Sequence, residues 1–402
     1  MGCCAGRERS LPSAWLGGRH EARSICAAGR HLSTTVVDFG AYGPTSDRAS
    51  RDRPRKRPPT LGASAAKRRE RARLPSSRPV TSDFTWRDGE RTIRFGRGAL
   101  ADAPELLGDR YVLLTTERAA ESAPEEVAAN ATAVHHVPPG RVDDVAGDLL
   151  ETVDGNLLVA LGGGRVVDVT KALAAARQVH AAAIPTTLSA AEMTRGHRHA
   201  RGVDPSTPRV RPRIVINDPA LSASQPEHDL AASAANALGH ALEGPLTPKA
   251  SPVPVLAARE AARLLAHDHD PDALALGALL SGYVIDSAGY GLHHVLSQTL
   301  ARFAGVWHGR ANAAMLPHTT VALRQRNPDA LAALDQAAGI AMEALARRLA
   351  QRADAQQLSD LGVSEADLET CVREAVARRA DLEGTPPAAD EAEIRALYEA
   401  AW

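Results

Sequence analysis

The chain has 402 residues, of which 44% are hydrophobic, 24% charged and only 3% aromatic, and its formal net charge is −1. That length accommodates two ordinary domains and a tail, and no apolar run reaches membrane-spanning length, so a membrane partner is not expected. The near-zero charge hides an asymmetry: residues 1–80 carry 17 Lys and Arg against 6 Asp and Glu, about +11, which leaves about −12 for the remainder.

Residues 1–80 are rich in Arg, Ser, Pro and Gly, hold no sustained period, and include Arg53-Pro-Arg-Lys-Arg-Pro-Pro59 and Lys67-Arg-Arg-Glu-Arg-Ala-Arg73. They read as a disordered basic tail. Without aromatics among the basic clusters or a recognisable binding module, a solvated tail is favoured over a nucleic-acid-binding arm. Met1-Gly-Cys-Cys4 is similar to a lipidation signal, but Gly6 stands where that pattern takes Ser or Thr. A transit peptide and a misassigned start near Val80 are the other readings. Cys3, Cys4 and Cys26 fall in the tail and Cys371 is alone in the body, which leaves no disulfide framework or four-cysteine zinc site. The body is expected in the cytoplasm.

Folding is expected to begin at Phe84–Gly96, where alternation on either side of Asp88-Gly89 predicts a β-hairpin. Tyr111–Thr115 reads as a buried strand, followed by a helix from near Arg118, a strand over Asn130–Val137, a turn at Pro138-Pro-Gly140 and an amphipathic helix over Val142–Val153. Leu157–Leu161 is a short apolar run that suits a parallel strand covered on both faces. It enters Gly162, Gly163 and Gly164, and a helix is predicted from near Val166. Glycines let an anion approach the backbone, and a helix start presents free N–H groups and a positive dipole end. A glycine turn that merely packs is the plainer alternative. Ala181–Thr187 reads as the next strand, ending in Pro185, Thr186 and Thr187. Alternating strands and helices imply a doubly wound parallel sheet that binds ligands beyond its carboxyl strand ends, which makes a dinucleotide, NADH or NADPH, the expected ligand. Thr116 ends the Tyr111 strand, where such domains usually present a carboxylate to the adenosine ribose. A Thr there would ease acceptance of NADPH beside NADH, and a plain strand-end residue is the alternative.

Beyond Asp218-Pro219 the period becomes helical and the composition Ala- and Leu-rich. The expected organisation is a tail over 1–80, an α/β dinucleotide-binding domain over 81–219 and an all-α domain over 220–402. Asn236 and His240 lie four apart on one helical face, as do His294 and Gln298, and Trp307-His-Gly309 adds His308. Three imidazoles converging from two helices and a turn could complete a divalent metal site, with Asn236 its weak, uncharged member. Hydrogen-bonded structural histidines are the alternative. Leu331–Leu349 and Ser364–Ala380 carry apolar residues at helical spacing and read as core helices, with Glu365 and Asp367 in the first turn of the second.

Taken together, Gly162-Gly-Gly-Arg-Val-Val-Asp-Val-Thr-Lys171, Pro185-Thr-Thr187, Asp218-Pro219, Asn236-Ala-Leu-Gly-His-Ala-Leu-Glu243 and the pairing of His294 with Trp307-His-Gly309 resemble the iron-containing alcohol dehydrogenase superfamily over residues 83–402. The resemblance implies a dehydroquinate synthase-like architecture, with the active site between an α/β nucleotide domain and a helical domain, and a homodimer. It assigns nucleotide contacts to the glycine run, Asp168, Lys171, Thr186 and Thr187. Members that bind Fe2+ or Zn2+ use one Asp and three His, which fall here on Asn236, His240, His294 and His308. Asn236 replaces the Asp, and Gln298 stands where a further His is usual. Asn236, Gly291-Leu-His-His294 and a Thr pair without a following Gly-Thr-Gly resemble the maleylacetate reductase branch, which reduces the C=C bond of an unsaturated oxo-dicarboxylate, giving oxoadipate in aromatic-compound catabolism. On that reading His240, His294 or His308 serves the developing enolate as hydrogen-bond donor and acid, His294 and His308 facing the substrate. Arg195 and Arg198 are the candidates for its carboxylates, against solvated loop arginines. A metal-dependent alcohol dehydrogenase and a nucleotide-binding protein with a decayed site are the alternatives.

Overall fold

The computed structural model describes residues 83–402, all within one compact unit. The tail readings lie outside the described residues.

Seven strands form one sheet: β1 (Phe84–Asp88), β2 (Arg91–Phe95), β3 (Tyr111–Thr115), β4 (Ala131–His136), β5 (Leu157–Gly162), β6 (His180–Pro185) and β7 (Ile214–Asn217), in the order β1-β2-β7-β6-β5-β3-β4. Only β1 and β2 pair antiparallel. Their hairpin turns at Gly89, whose φ of 61° is the left-handed conformation glycine adopts without penalty. The apolar runs are continuous because helices cover both faces of the sheet. Val112, Leu114, Leu158 and Ala160 enter one buried cluster, while Leu113, Val159 and Leu161 enter another on the opposite face. The chain moves outward from β3 to β4 and then crosses back to β5 on the other side of β3. This reversal is a switch point, and it places the carboxyl ends of β3 and β5, at Thr115 and Leu161, side by side.

β7 was not anticipated. Ile214-Val-Ile-Asn217 is only four residues long, between Pro212 and Asp218-Pro219, yet it joins the hairpin to the sheet. No strand follows Asn217 among the described residues, and the later helices share one large core built mainly of Ala and Leu. The run expected over Leu331–Leu349 is two helices, Pro328–Ala338 and Met342–Arg352, parted at Gly339 with φ 70°. Ser364 caps the Glu365–Val376 helix in a reciprocal box with Asp367. Among the described residues no single helix is long and apolar enough to cross a membrane; the bent pair Pro271–Ala288 and Leu292–Phe303 passes by length and composition, and most of its residues are packed in the core.

Candidate active site

The site begins where β5 ends. The helix after the glycines runs from Gly164 to Arg177, two residues earlier than expected, and its start has no side-chain cap. Its first N–H groups therefore lack a side-chain partner at the positive end of the dipole. None of the three glycines has a positive φ. Space is the reason for them: a Cβ on Gly162 would lie 2.7 Å from Val166, one on Gly163 2.9 Å from Thr187, and one on Gly164 3.0 Å from Ser189. The glycine turn and the segment after β6 are thus pressed together, with Thr186 N–H bonded to Gly162 O at 3.0 Å. Thr116 caps the short Glu117–Glu121 helix, its hydroxyl accepting from Ala119 N–H at 3.3 Å, next to the switch point.

Lys171 is fully buried and its ammonium is consumed by the protein. It donates to the carbonyls of Ala191 (2.9 Å), Thr194 (3.1 Å) and Gly196 (2.7 Å) and pairs with Asp168 at 2.8 Å. It bolts down the loop after β6 and presents nothing to a ligand. Arg195 is likewise diverted: its backbone N–H donates to Asp286 at 2.7 Å, and its side chain lines an open cavity of about 440 Å³ with Gly196, His199, Thr207 and Arg209, none of them in the histidine cluster. Arg198 is half-exposed, with Asp143 4.0 Å away.

The segment after β6 also holds the helical part. Leu188 N–H donates to Ser233 Oγ at 3.0 Å and Asn236 Nδ2 donates to Ser189 O at 3.3 Å, both on the Glu227–Glu243 helix. One turn on, the buried His240 ring stacks on His294, with centroids 4.5 Å apart. Gly239 makes this possible, since a Cβ there would come within 2.5 Å of the His293 ring. Glu243, wholly buried, accepts from the N–H groups of Gly291 (3.2 Å), His293 (2.7 Å) and His294 (3.3 Å) at the start of the Leu292–Phe303 helix. It also meets His294 Nδ1 at 2.5 Å, which fixes the ring and turns Nε2 away from the carboxylate.

Burial sets the electrostatics of this cluster. Desolvation raises the Glu243 pKa to about 7 against the pull of His293 and the three backbone N–H groups. Desolvation also lowers His294 to about 3, helped by the charges of His308 and Arg378, and lowers His240 well below the usual range, helped by its neighbouring imidazoles. His308 retains solvent contact while neighbours crowd it, and desolvation lowers its pKa against Asp168. His308 Nε2 lies 3.2 Å from Asn312 Nδ2.

Seven buried polar atoms of these residues have no hydrogen-bond partner within the described protein: Thr186 Oγ1, Thr187 Oγ1, Asn236 Oδ1, His240 Nδ1, His293 Nε2, His294 Nε2 and Asn312 Oδ1. Unpaired buried polar groups each cost about 1–3 kcal/mol, so the site suits a polar ligand that supplies the missing bonds. An uncapped helix start and two unpaired threonine hydroxyls fit a dinucleotide. A divalent metal fits poorly: among the described residues no three His, Cys, Asp or Glu groups converge to hold one, and Asn236 brings no charge.

Glu243, His293, Asn312 and Gly239 had no role in the sequence reading. Glu243 had a signal, being a carboxylate three residues after His240 at the Ala- and Leu-rich end of its helix. His293 had none, because its partner Thr319, 2.8 Å from Nδ1, lies 26 residues away.

Residues 230–402 match the model of the Fe-containing alcohol dehydrogenase family, C-terminal, and residues 95–223 match that of iron-containing alcohol dehydrogenase. The chain is 30% identical over 360 residues to maleylacetate reductase 1 of Rhodococcus opacus, covering 80% of this chain and 97% of that protein. It is 33% identical over 274 residues to the maleylacetate reductase of Sphingobium indicum, covering 61% and 77%. Among solved structures, a putative alcohol dehydrogenase from Ralstonia eutropha JMP134 aligns with a TM-score of 0.69 at 29% identity, covering 81% of this chain and 98% of that one. Maleylacetate reductase from Agrobacterium tumefaciens aligns with a TM-score of 0.68 at 26% identity, covering 80% and 99%.

Proposed function

The chain belongs to the iron-containing alcohol dehydrogenase family, and from that premise we propose that it is a maleylacetate reductase-like oxidoreductase that reduces the C=C bond of an unsaturated oxo-dicarboxylate, maleylacetate, to 3-oxoadipate with NADH or NADPH. The observation that carries the reading is the set of buried polar atoms without a protein partner on Thr186, Thr187, Asn236, His240 and His294. We assign residues 81–219 to the nucleotide and 220–402 to the substrate.

The nicotinamide, when bound, supplies the hydride that adds to the alkene carbon conjugate to the ketone. The helix start at Gly164 and the hydroxyls of Thr186 and Thr187 hold the nucleotide. Negative charge then develops on the ketone oxygen, and a hydrogen bond aimed there lowers the barrier. His294 is the residue for that bond, because Glu243 fixes its ring and leaves Nε2 without a protein partner. With Glu243 protonated, its O–H donates to Nδ1 and Nε2–H points at the oxygen. As the Nε2 proton leaves for the enolate, the Glu243 proton moves to Nδ1, and no isolated imidazolium forms in the buried site. His308, open to solvent, is placed to return a proton from bulk water.

The deciding measurement is NAD(P)H oxidation with maleylacetate, with 3-oxoadipate identified as product. Absence of turnover sinks the proposal, and alcohol oxidation that requires added zinc or ferrous iron would replace it with the metal-dependent reading. A place in aromatic-compound catabolism, a cytoplasmic location and a homodimer belong to the same proposal. Exposed Val253 and Leu256, a turn apart, support self-association, which sedimentation would test.

A further inference from the structure

Between β6 and β7 the chain turns strongly basic: residues 195–213 hold six arginines and a single acid, Asp204. Four of the six arginines are turned to neighbours outside the cavity described above. Arg211 pairs with Asp286 at 3.1 Å, Arg201 with Asp144 at 3.6 Å and with Asp148, Arg198 lies 4.0 Å from Asp143, and Arg213 Nη1 lies 3.1 Å from His180 Nε2. Asp204 serves its own turn, accepting from Ser206 N–H at 2.8 Å. The two arginines that remain, Arg195 and Arg209, both line the cavity of about 440 Å³, with Gly196, His199 and Thr207 beside them.

Neither has a carboxylate to itself. Asp286 is 4.0 Å from Arg195 Nε, and it already accepts from Arg211 and from the Arg195 N–H. Arg209 has no carboxylate partner among the described residues, and of its donors only Nε is engaged, bonding His197 O at 3.0 Å. No Asp or Glu is among the residues that line the cavity, while His199 on its wall has a buried Nδ1 without a hydrogen-bond partner. The wall is fixed from behind: Lys171 grips Gly196 O at 2.7 Å, Asp286 holds the Arg195 N–H at 2.7 Å, and His197 O holds the Arg209 guanidinium. Guanidiniums with spare N–H groups favour an anion, and a wall already ordered spares the cost of ordering it on binding.

We propose that this cavity is a binding site for the anionic head, phosphate or carboxylate, of a small molecule, separate from the histidine cluster. The Nη groups of Arg195 and Arg209 are its forks, and Thr207 and His199 complete its polar wall. The volume lies in the range that small-molecule ligands occupy, so the body of the ligand has room beside the head. The site does not depend on the reductase reading above.

The test is calorimetry on the full-length protein, at fixed ionic strength in chloride, with inorganic phosphate and separately with succinate. Saturable binding is expected, and the tighter of the two anions identifies the head. Arg195→Gln and Arg209→Gln should each weaken it about tenfold and the double variant about 100-fold. Arg195→Gln keeps its backbone bond to Asp286, so it reports on the side chain alone, whatever the loss of Arg209 Nε does to the loop. Arg201→Gln removes the same charge from the same segment, but from an arginine that has Asp144 and Asp148, and should change affinity less than about twofold. No saturable binding of either anion by the wild type overturns the proposal. So does an equal loss in Arg201→Gln, which means diffuse charge, and so does binding untouched by Arg195→Gln, which puts the anion elsewhere, as at the uncapped helix start at Gly164.

Discussion

The glycine turn and the histidine cluster are tied to one another through the segment after β6 and are built by opposite means. At Gly162–Gly164 the turn is shaped by the backbone, and side chains are excluded by neighbours 2.7–3.0 Å from any added Cβ. At His240 and His294 the side chains shape the site, and each depends on a partner distant in sequence, such as Glu243, 51 residues before His294. A backbone site is therefore local and robust to its surroundings, whereas a side-chain site is only as good as the layer behind it.

Removing that layer should have the largest effect. Glu243→Ala strips the hydrogen-bond partner from His294 Nδ1 and the acceptor from three backbone N–H groups. It should lower kcat by about 100-fold or more with NADH affinity nearly unchanged. Equal losses in kcat and in NADH affinity, read by steady-state kinetics and nucleotide fluorescence, would break the comparison.

The segment between the two regions carries a different liability. Glu192 is buried, and desolvation raises its pKa to about 7 against Lys171 and Arg91. A folded pKa above the unfolded value near 4.5 means that its contribution to stability is fullest below pH 4.5 and is lost as pH rises to about 7. Glu192→Gln should accordingly match the wild type at pH 4 and exceed it at pH 8 by about 3 kcal/mol in denaturant unfolding. A difference that does not grow with pH would refute this account of Glu192.

On the backbone side, Gly163→Ala must push against Thr187 and should raise KM for NADH about tenfold, with the kcat effect smaller, the mirror image of Glu243→Ala. The smallest expected effect is at Thr116. Aspartate caps a helix at least as well as threonine, so Thr116→Asp should keep the fold and lower the preference for NADPH relative to NADH by about fivefold. An unaltered cofactor ratio would place the adenosine ribose elsewhere.

The same contrast explains what could be read from the sequence. The strands β3, β5 and β6 announce themselves as apolar runs, and the glycines mark the turn directly. β7 escaped because four residues between prolines carry no period, although the sheet is incomplete without them. In the helical part, His240 and His294 stood out by residue type, but spacing could not reveal that His294 leans on Glu243 or that Gln298 holds Arg378. Lys171 was read by motif as a nucleotide contact. Its actual duty depends on carbonyls 20 to 25 residues later, whose direction no sequence pattern encodes.

Lys171 has a consequence for how this enzyme can change. Together with Asp286, which grips Arg195 N–H and pairs with Arg211 at 3.1 Å, it clamps both ends of the loop between β6 and β7. The intervening stretch near Val203–Thr207 is held largely by its own turns. In engineering terms the loop is a socket: its middle can be lengthened, shortened or exchanged without disturbing the frame on which the chemistry rests.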